Sequence, residues 1–289
     1  MSVADIDGAV ATALEAPPRR HPVRSALLHG QGLAGVIIVV VIAALGLLAP
    51  LLTSYEPTAQ IPGANLLPPS AEHWLGTDHL NRDLLSRTLA AIRINLVIIL
   101  TAVPLGAAIG ALSGLLSSLH PAADVVAQRA FDVILAFPAL ILAIMLAAIT
   151  GPGVSTVILV IVAAEIPIFG RLIRTSILKV REQPYVEAAQ VIGASNWWIL
   201  RKHVFPNAAE PLGVQIALSM SVAVFVESAM SFIGIGVRPP EPSLGSIISE
   251  SIPYLDVNAA FAVGPLFVVA GLVLGFLLIA QALGRARRV

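Results

Sequence analysis

"YVEAAQVIGASNWWILRKHVFPNAAEP", residues 185–211, stands between long aliphatic runs and is built differently from them. It carries Arg201, Lys202 and His203 in succession, two adjacent Trp, and Pro184 and Pro206 at its margins. Pro184 suits a first helical turn, where a missing N–H costs nothing. Tyr185 to Ile192 is helix-compatible, and Gly193 can take the left-handed conformation that ends a helix. Ser195 or Asn196 can cap a second short helix carrying Trp197, Trp198, Ile199 and Leu200, which Pro206 is expected to close. The stretch therefore predicts a helix-turn-helix elbow of about thirty residues. Two readings of it stay open at this point: a handle for a partner protein, since a short amphipathic helix can lie in a partner's groove, or a loop whose Trp pair floats at the lipid interface.

The chain around the elbow belongs in a membrane. Its 289 residues have a mean hydropathy of +0.90, with 57% hydrophobic and only 12% charged residues, against roughly a quarter charged in soluble domains. With no Cys, disulfides, thiolate catalysis and Cys-ligated metals are excluded. About 20 apolar residues span a hydrocarbon core of about 30 Å, and six such spans are expected. The first is Leu33 to Leu52, "LAGVIIVVVIAALGLLAPLL", preceded by Arg19, Arg20 and Arg24 and read as a retained helix rather than a cleaved signal. The second lies between Arg93 and Asp124. The third runs from Val125 to Ile149, and Gly151-Pro152-Gly153 turns the chain into a fourth from Val154 to about Ile173. The fifth follows Pro211 and reaches about Gly236; the sixth lies between Asp256 and Arg285. Gly106, Gly110 and Gly114 recur at four-residue spacing, a surface for close helix packing.

Basic residues set an orientation. With both termini and the elbow inside, thirteen Lys and Arg fall on the inner side, and only Arg82, Arg87, Arg93 and Arg238 fall outside. That bias places the elbow in the cytoplasm and residues 237–257 outside. The outer Arg residues of "NRDLLSRTLAAIR" are the exception, with Asp78 and Asp83 beside two of them.

Glu165 in "VAAEIPIFG" and Glu227 in "VFVESAMSF" sit well inside apolar spans. A lone carboxylate there is expensive, so each is expected either to line a water-filled passage and meet a cationic substrate group, or to be neutralised or hydrogen-bonded against a neighbouring helix. Pro167 predicts a kink beside Glu165. Arg129, three residues before Asp132, predicts an intrahelical ion pair. The six His, at 21, 29, 73, 79, 120 and 203, form no H-E-x-x-H pattern of an intramembrane metalloprotease.

Three stretches carry a resemblance to the permease subunits of bacterial ABC importers. Glu187-Ala188-Ala189, Gly193, and Pro206 thirteen residues further on match the EAA motif, EAA, three residues, G, nine residues, I-x-L-P, with His203 and Phe205 in place of Ile and Leu. "SFIGIGVRPPEPSLGSIISES", residues 231–251, resembles the segment closing the fifth helix in dipeptide, oligopeptide and nickel permeases. "HWLGTDHLNRDLLSR", residues 73–87, is similar to the segment before the second helix in the DppC/OppC-like branch, with Asn81 where that branch usually has Gly. Together the similarity covers roughly residues 28 to 285.

The resemblance implies an all-α polytopic membrane protein of the type I ABC importer permease fold. It divides the chain into a flexible cytoplasmic tail, 1–28, with a short amphipathic helix near Val23 to Leu28; a first span and extracytoplasmic segment, 29–91; and a five-helix core, 92–289, containing the coupling loop at about 176–211. It implies a non-catalytic subunit of the bacterial inner membrane that imports peptides or related small solutes. The partners implied are a second homologous permease, two cytoplasmic ATPases that bind ATP and Mg, an extracytoplasmic binding protein and the bilayer, with no nucleic acid. No Lys here lies in a G-x-x-x-x-G-K-[ST] phosphate loop, so energy is expected to enter from the ATPases through Glu187, Ala188, Ala189, Gly193, Ser195 and Pro206. A self-sufficient secondary transporter or channel is the alternative that polar interruptions of spans also fit.

Overall fold

The computed structural model describes residues 26–286, and the expected tail falls almost entirely outside them. Helix α1 (Gly30–Leu47) and the short α2 (Ala49–Leu52) come first, followed by a folded non-helical segment and α3 (Leu84–Ser117). Then come α4 (Pro121–Leu135), α5 (Ala139–Thr150) and α6 (Val154–Arg181). The elbow contributes α7 (Pro184–Val191), α8 (Asn196–Ile199), a π-helical stretch (Leu200–Val204) and α9 (Phe205–Ala208). The chain finishes with α10 (Leu212–Phe232), α11 (Leu244–Ser251), a 3₁₀ turn (Ile252–Tyr254) and α12 (Ala260–Ala286). Among the described residues there is no strand.

Five helices are long and apolar enough to span a membrane: α1, α3, α6, α10 and α12. The third expected span is not straight. The stretch from Val125 to Ile149 divides between α4 and α5, which meet at 91°. Pro138 is the cause: it lacks an N–H and pushes Phe137 out of the α region, so the helix stops at Leu135 and a new one starts after Pro138.

Other boundaries move outward. The second span starts at Leu84 rather than beyond Arg93, because Asp83 caps it by accepting the Ser86 N–H at 2.8 Å. One unbroken helix therefore crosses the 91/92 division. The fourth runs through Pro167 to Arg181, so the loop expected from about residue 176 begins inside a helix.

The pairing of α3 with α6 is the tightest in the bundle, and the glycine spacing explains it. A Cβ on Gly114 would lie 2.2 Å from the Gly170 carbonyl oxygen, and one on Gly110 2.5 Å from that of Ile166. Only hydrogen at these positions lets the two backbones touch. Helix α1 packs on α12 and α3, while α10 packs on α12, α11 and α3. The apolar core runs through Ile92, Ile99, Val103, Val157, Ile161, Val224 and Leu272.

At the end of the bundle opposite the elbow, residues 53–83 and α11 form a cap. Asp78, fully buried, accepts the backbone N–H of Leu80 and Arg82 and pairs with Arg82 Nε at 2.6 Å and Arg87 Nε at 3.3 Å. Both guanidiniums reach Glu250 Oε2 of α11 at 3.3 Å. Two of the outer Arg residues are thereby accounted for, by Asp78 and Glu250; Asp83 instead pairs with buried His73 at 2.9 Å. Asn81 takes φ +63°, a left-handed value that Asn tolerates better than most residues. The turn expected with Gly at this position is thus made here by Asn. Asn258 ties the cap to the start of α12 by donating to the carbonyls of Leu67 and Leu75, each at 3.3 Å.

Candidate functional site

The elbow is a small packed unit. Val186 and Ala189 of α7 face Ile199, Leu200, Val204 and Ala208, and all six pack onto Ile173 and Ile177 of α6. Glu187 and Ala188 lie on the opposite, exposed face of α7. Gly193 has φ +84°, and the turn closes as a Schellman motif: Ala194 N–H donates to Ala189 at 3.1 Å and Gly193 N–H to Gln190 at 3.0 Å. Ser195 Oγ accepts the Trp198 N–H at 3.3 Å and starts the second helix. Val191 and Ile192, 81% and 82% exposed, form an apolar tip at the turn.

Pro206 does not close the second helix. The chain stays helical to Ala208, because the turn before Pro206 widens to π geometry, with Phe205 N–H bonded to the Leu200 carbonyl. A π turn absorbs the bond that proline cannot make. Trp198 is half exposed and meets the His203 ring edge-on at 5.0 Å.

The two intramembrane carboxylates part company. Glu165, nearly buried, lines a cavity of about 310 Å³ between the α4–α5 bend, α6 and α10, whose other walls include Phe137, Leu142, Ile161 and Val226. Ser219 Oγ donates to Glu165 Oε2 at 2.6 Å, and Gln215 Nε2 donates to Ser219 at 3.3 Å. Glu165 fits there because Gly106 faces its Cβ. Glu227 is fully buried and does not border that cavity. It accepts from Asn95 at 2.5 Å, from Ser228 at 3.2 Å and from Ser231 at 3.0 Å. The expected Arg129–Asp132 pair is present at 3.6 Å, and Arg171 of α6 adds a second partner to Asp132 at 2.5 Å. Sequence reasoning missed the Arg174–Asp124 pair, which also fastens α6 to α4; its partners are 50 residues apart, and no local spacing announces it.

Residues 102–289 match the family of binding-protein-dependent transport system inner membrane components. The chain belongs to this family. The permease is 33% identical to the dipeptide transport system permease protein DppC of Alkalihalophilus pseudofirmus, over 92% of this chain and 88% of that one. It is 36% identical to a putative peptide transport system permease protein of Brucella abortus biovar 1, over 80% and 78% of the two chains. Against the inward-facing MetNI methionine ABC transporter the TM-score is 0.56 at 20% identity, covering 70% of this chain and 95% of that chain. The fold is that of a type I ABC importer permease, and the protein is a multi-pass inner-membrane subunit of a bacterial ABC importer.

Proposed function

We propose that this permease forms half of a translocation path for short peptides, drawing energy from cytoplasmic ATPases through the elbow, with both termini cytoplasmic. The observation that carries the reading is the build of the elbow. It is a packed unit whose own apolar core is continuous with α6, yet it leaves the apolar tip Val191–Ile192 and the Glu187 face of α7 uncovered. Force applied to such a tip reaches α6 without loss in a flexible joint, and rigid-body motion of packed helices suffices for alternating access. Glu187, Ala188, Ala189 and Gly193 form the docking element, with Ser195 and Pro206 shaping the helix that braces it. The relatives named for dipeptide and peptide transport favour a peptide cargo.

Glu165 is the path residue, on the wall of a cavity where a peptide's ammonium group would find a desolvated carboxylate. Glu227, with its carboxylate already engaged, holds α3 and α10 together. The test is reconstitution in proteoliposomes with a second permease, two ATPases and a binding protein. Dipeptide uptake should require ATP and every component. Uptake by this chain alone would establish a self-sufficient carrier instead.

A further inference from the structure

Of the three Arg residues between positions 82 and 93, Arg82 and Arg87 are consumed by Asp78 and Glu250. Arg93 is exposed, and among the described residues no hydrogen bond or ion pair engages it. It opens instead on a cavity of about 630 Å³ between α1–α2, α3 and the cap. The depth of this cavity follows from packing. Gly46, one residue from the end of α1, lies against Ile92 and the Arg93 backbone. An 18-residue α1 is about 27 Å long, close to the hydrocarbon thickness of about 30 Å, so Gly46, and Arg93 beside it, lie toward the cap end of the first span, within reach of the headgroup level for a long side chain. The cavity floor is apolar, from Ala49, Ala90 and Val97, and it continues onto Val97 and Leu100, both more than half exposed. Its rim holds Arg93 together with two carboxylates, Glu56 and Glu241.

We propose that this cavity is a phosphatidylethanolamine site. The phosphate sits on Arg93, the ammonium lies between Glu56 and Glu241, and an acyl chain follows the exposed α3 face. An arginine that snorkels to the headgroup level is placed for a phosphodiester. The two carboxylates oppose a net anionic headgroup and favour one carrying a cation. A primary ammonium, with three N–H donors, satisfies them where a quaternary choline has none.

The site needs neither ATP nor cargo, so its test is independent of the transport reading. The assembled transporter is released from micelles in native mass spectrometry after incubation with phosphatidylethanolamine, phosphatidylcholine or phosphatidylglycerol. Phosphatidylethanolamine should be retained per copy of this chain under activation that strips the other two. Arg93→Gln should lower that retention about tenfold, the worth of one charge-assisted contact, while Arg93→Lys keeps most of it. Glu56→Gln with Glu241→Gln should erase the preference over phosphatidylcholine and leave phosphate retention intact. Equal retention in wild type and Arg93→Gln, or a preference for phosphatidylglycerol, overturns the proposal. So does efficient cross-linking of Thr53→Cys to the second permease, since protein would then cover the cavity; if Arg93→Gln fails to assemble, the three-lipid comparison on wild type decides alone.

Discussion

Asn95 and Glu227, 132 positions apart, meet inside the bundle, where the Asn95 side-chain amide donates to Glu227 Oε2 at 2.5 Å. Ser231, which donates to the other carboxylate oxygen at 3.0 Å, also accepts the Val237 N–H at 3.2 Å. One carboxylate thus joins α3, α10 and the turn after α10. Replacing it by Ala strands three donors, at about 1–3 kcal/mol for each buried group left unsatisfied, and should lower the unfolding temperature of the purified complex. Glu227→Gln should be far milder, because its new amide can donate to Asn95 Oδ1, which is buried and without a partner. In that variant the ratio of uptake for cationic and neutral dipeptides should stay at the wild-type value. A selective loss of cationic peptides would return Glu227 to the path.

Glu165 predicts the opposite pattern. Its replacement by Gln keeps the Ser219 contact and the cavity shape but removes the charge, so dipeptides with a free amino terminus should lose about tenfold in apparent affinity, a charge-assisted bond being worth about 1.5–3 kcal/mol. Amino-acetylated peptides should be little affected. Competition for uptake of a labelled dipeptide measures both, and an equal effect on the two classes would remove Glu165 from cargo recognition.

Much of this architecture was legible in the sequence, for identifiable reasons. Spans, the Gly193 turn and the Gly106–Gly110–Gly114 seam each arise from local chemistry: unbroken apolar length, a left-handed residue, hydrogen in place of Cβ. The bend at Pro138 is likewise local chemistry, a missing N–H inside an otherwise unbroken apolar length. Pro206 does not act as the stop its residue type predicts, because a π turn absorbs the proline while packing against α6 holds the helix together. The different fates of Glu165 and Glu227 were only partly legible: Ser228 and Ser231 stand one and four positions from Glu227, whereas Asn95 is 132 positions from it and Ser219 is 54 from Glu165, and the cavity beside Glu165 depends on the bend between α4 and α5.

The orientation is checked by single cysteines on exposed positions of the two ends. Ala71 in the cap and Ala188 on the elbow are both exposed. An impermeant thiol reagent on intact cells should label Ala71→Cys and leave Ala188→Cys untouched until the membrane is opened. Ser243, at the same end as Ala71, is unsuitable: it is fully buried and caps α11. The reverse labelling pattern would invert the topology.

The cap predicts a large stability effect from a small change. Asp78→Asn retains the shape and the backbone contacts but leaves Arg82 and Arg87 with Glu250 alone, and Glu250 is partly open to solvent. Removing one partner of a buried ion pair costs about 3–5 kcal/mol. Limited proteolysis should then cut within residues 53–83 at protease levels that spare the wild type, while α1 and α12 still insert. Wild-type resistance in Asp78→Asn would mean that the apolar and Asn258 contacts suffice to hold the cap.

The elbow offers the sharpest comparison, because the space around Gly193 is open: a Cβ there would meet nothing within 4 Å. Any effect of substitution must come from the backbone at φ +84° or from what docks outside. Val disfavours the left-handed turn by about 1–2 kcal/mol, whereas Asn tolerates it. Gly193→Val should therefore tilt α7 against α8 and uncouple the transporter, and Gly193→Asn should keep most activity. Glu187→Lys acts differently, reversing a charge in the first turn of α7 at a dipole cost of about 0.3–1 kcal/mol and removing any basic partner across the interface. All three variants should insert and pair with the second permease, since neither residue lies in a span. The amount of ATPase co-purifying with the membrane subunits, and its stimulation by loaded binding protein, should fall in Gly193→Val and Glu187→Lys and persist in Gly193→Asn. If Val and Asn behave alike, the geometry of the turn is irrelevant; if Glu187→Lys and Gly193→Val both match wild type, the ATPases engage this permease elsewhere.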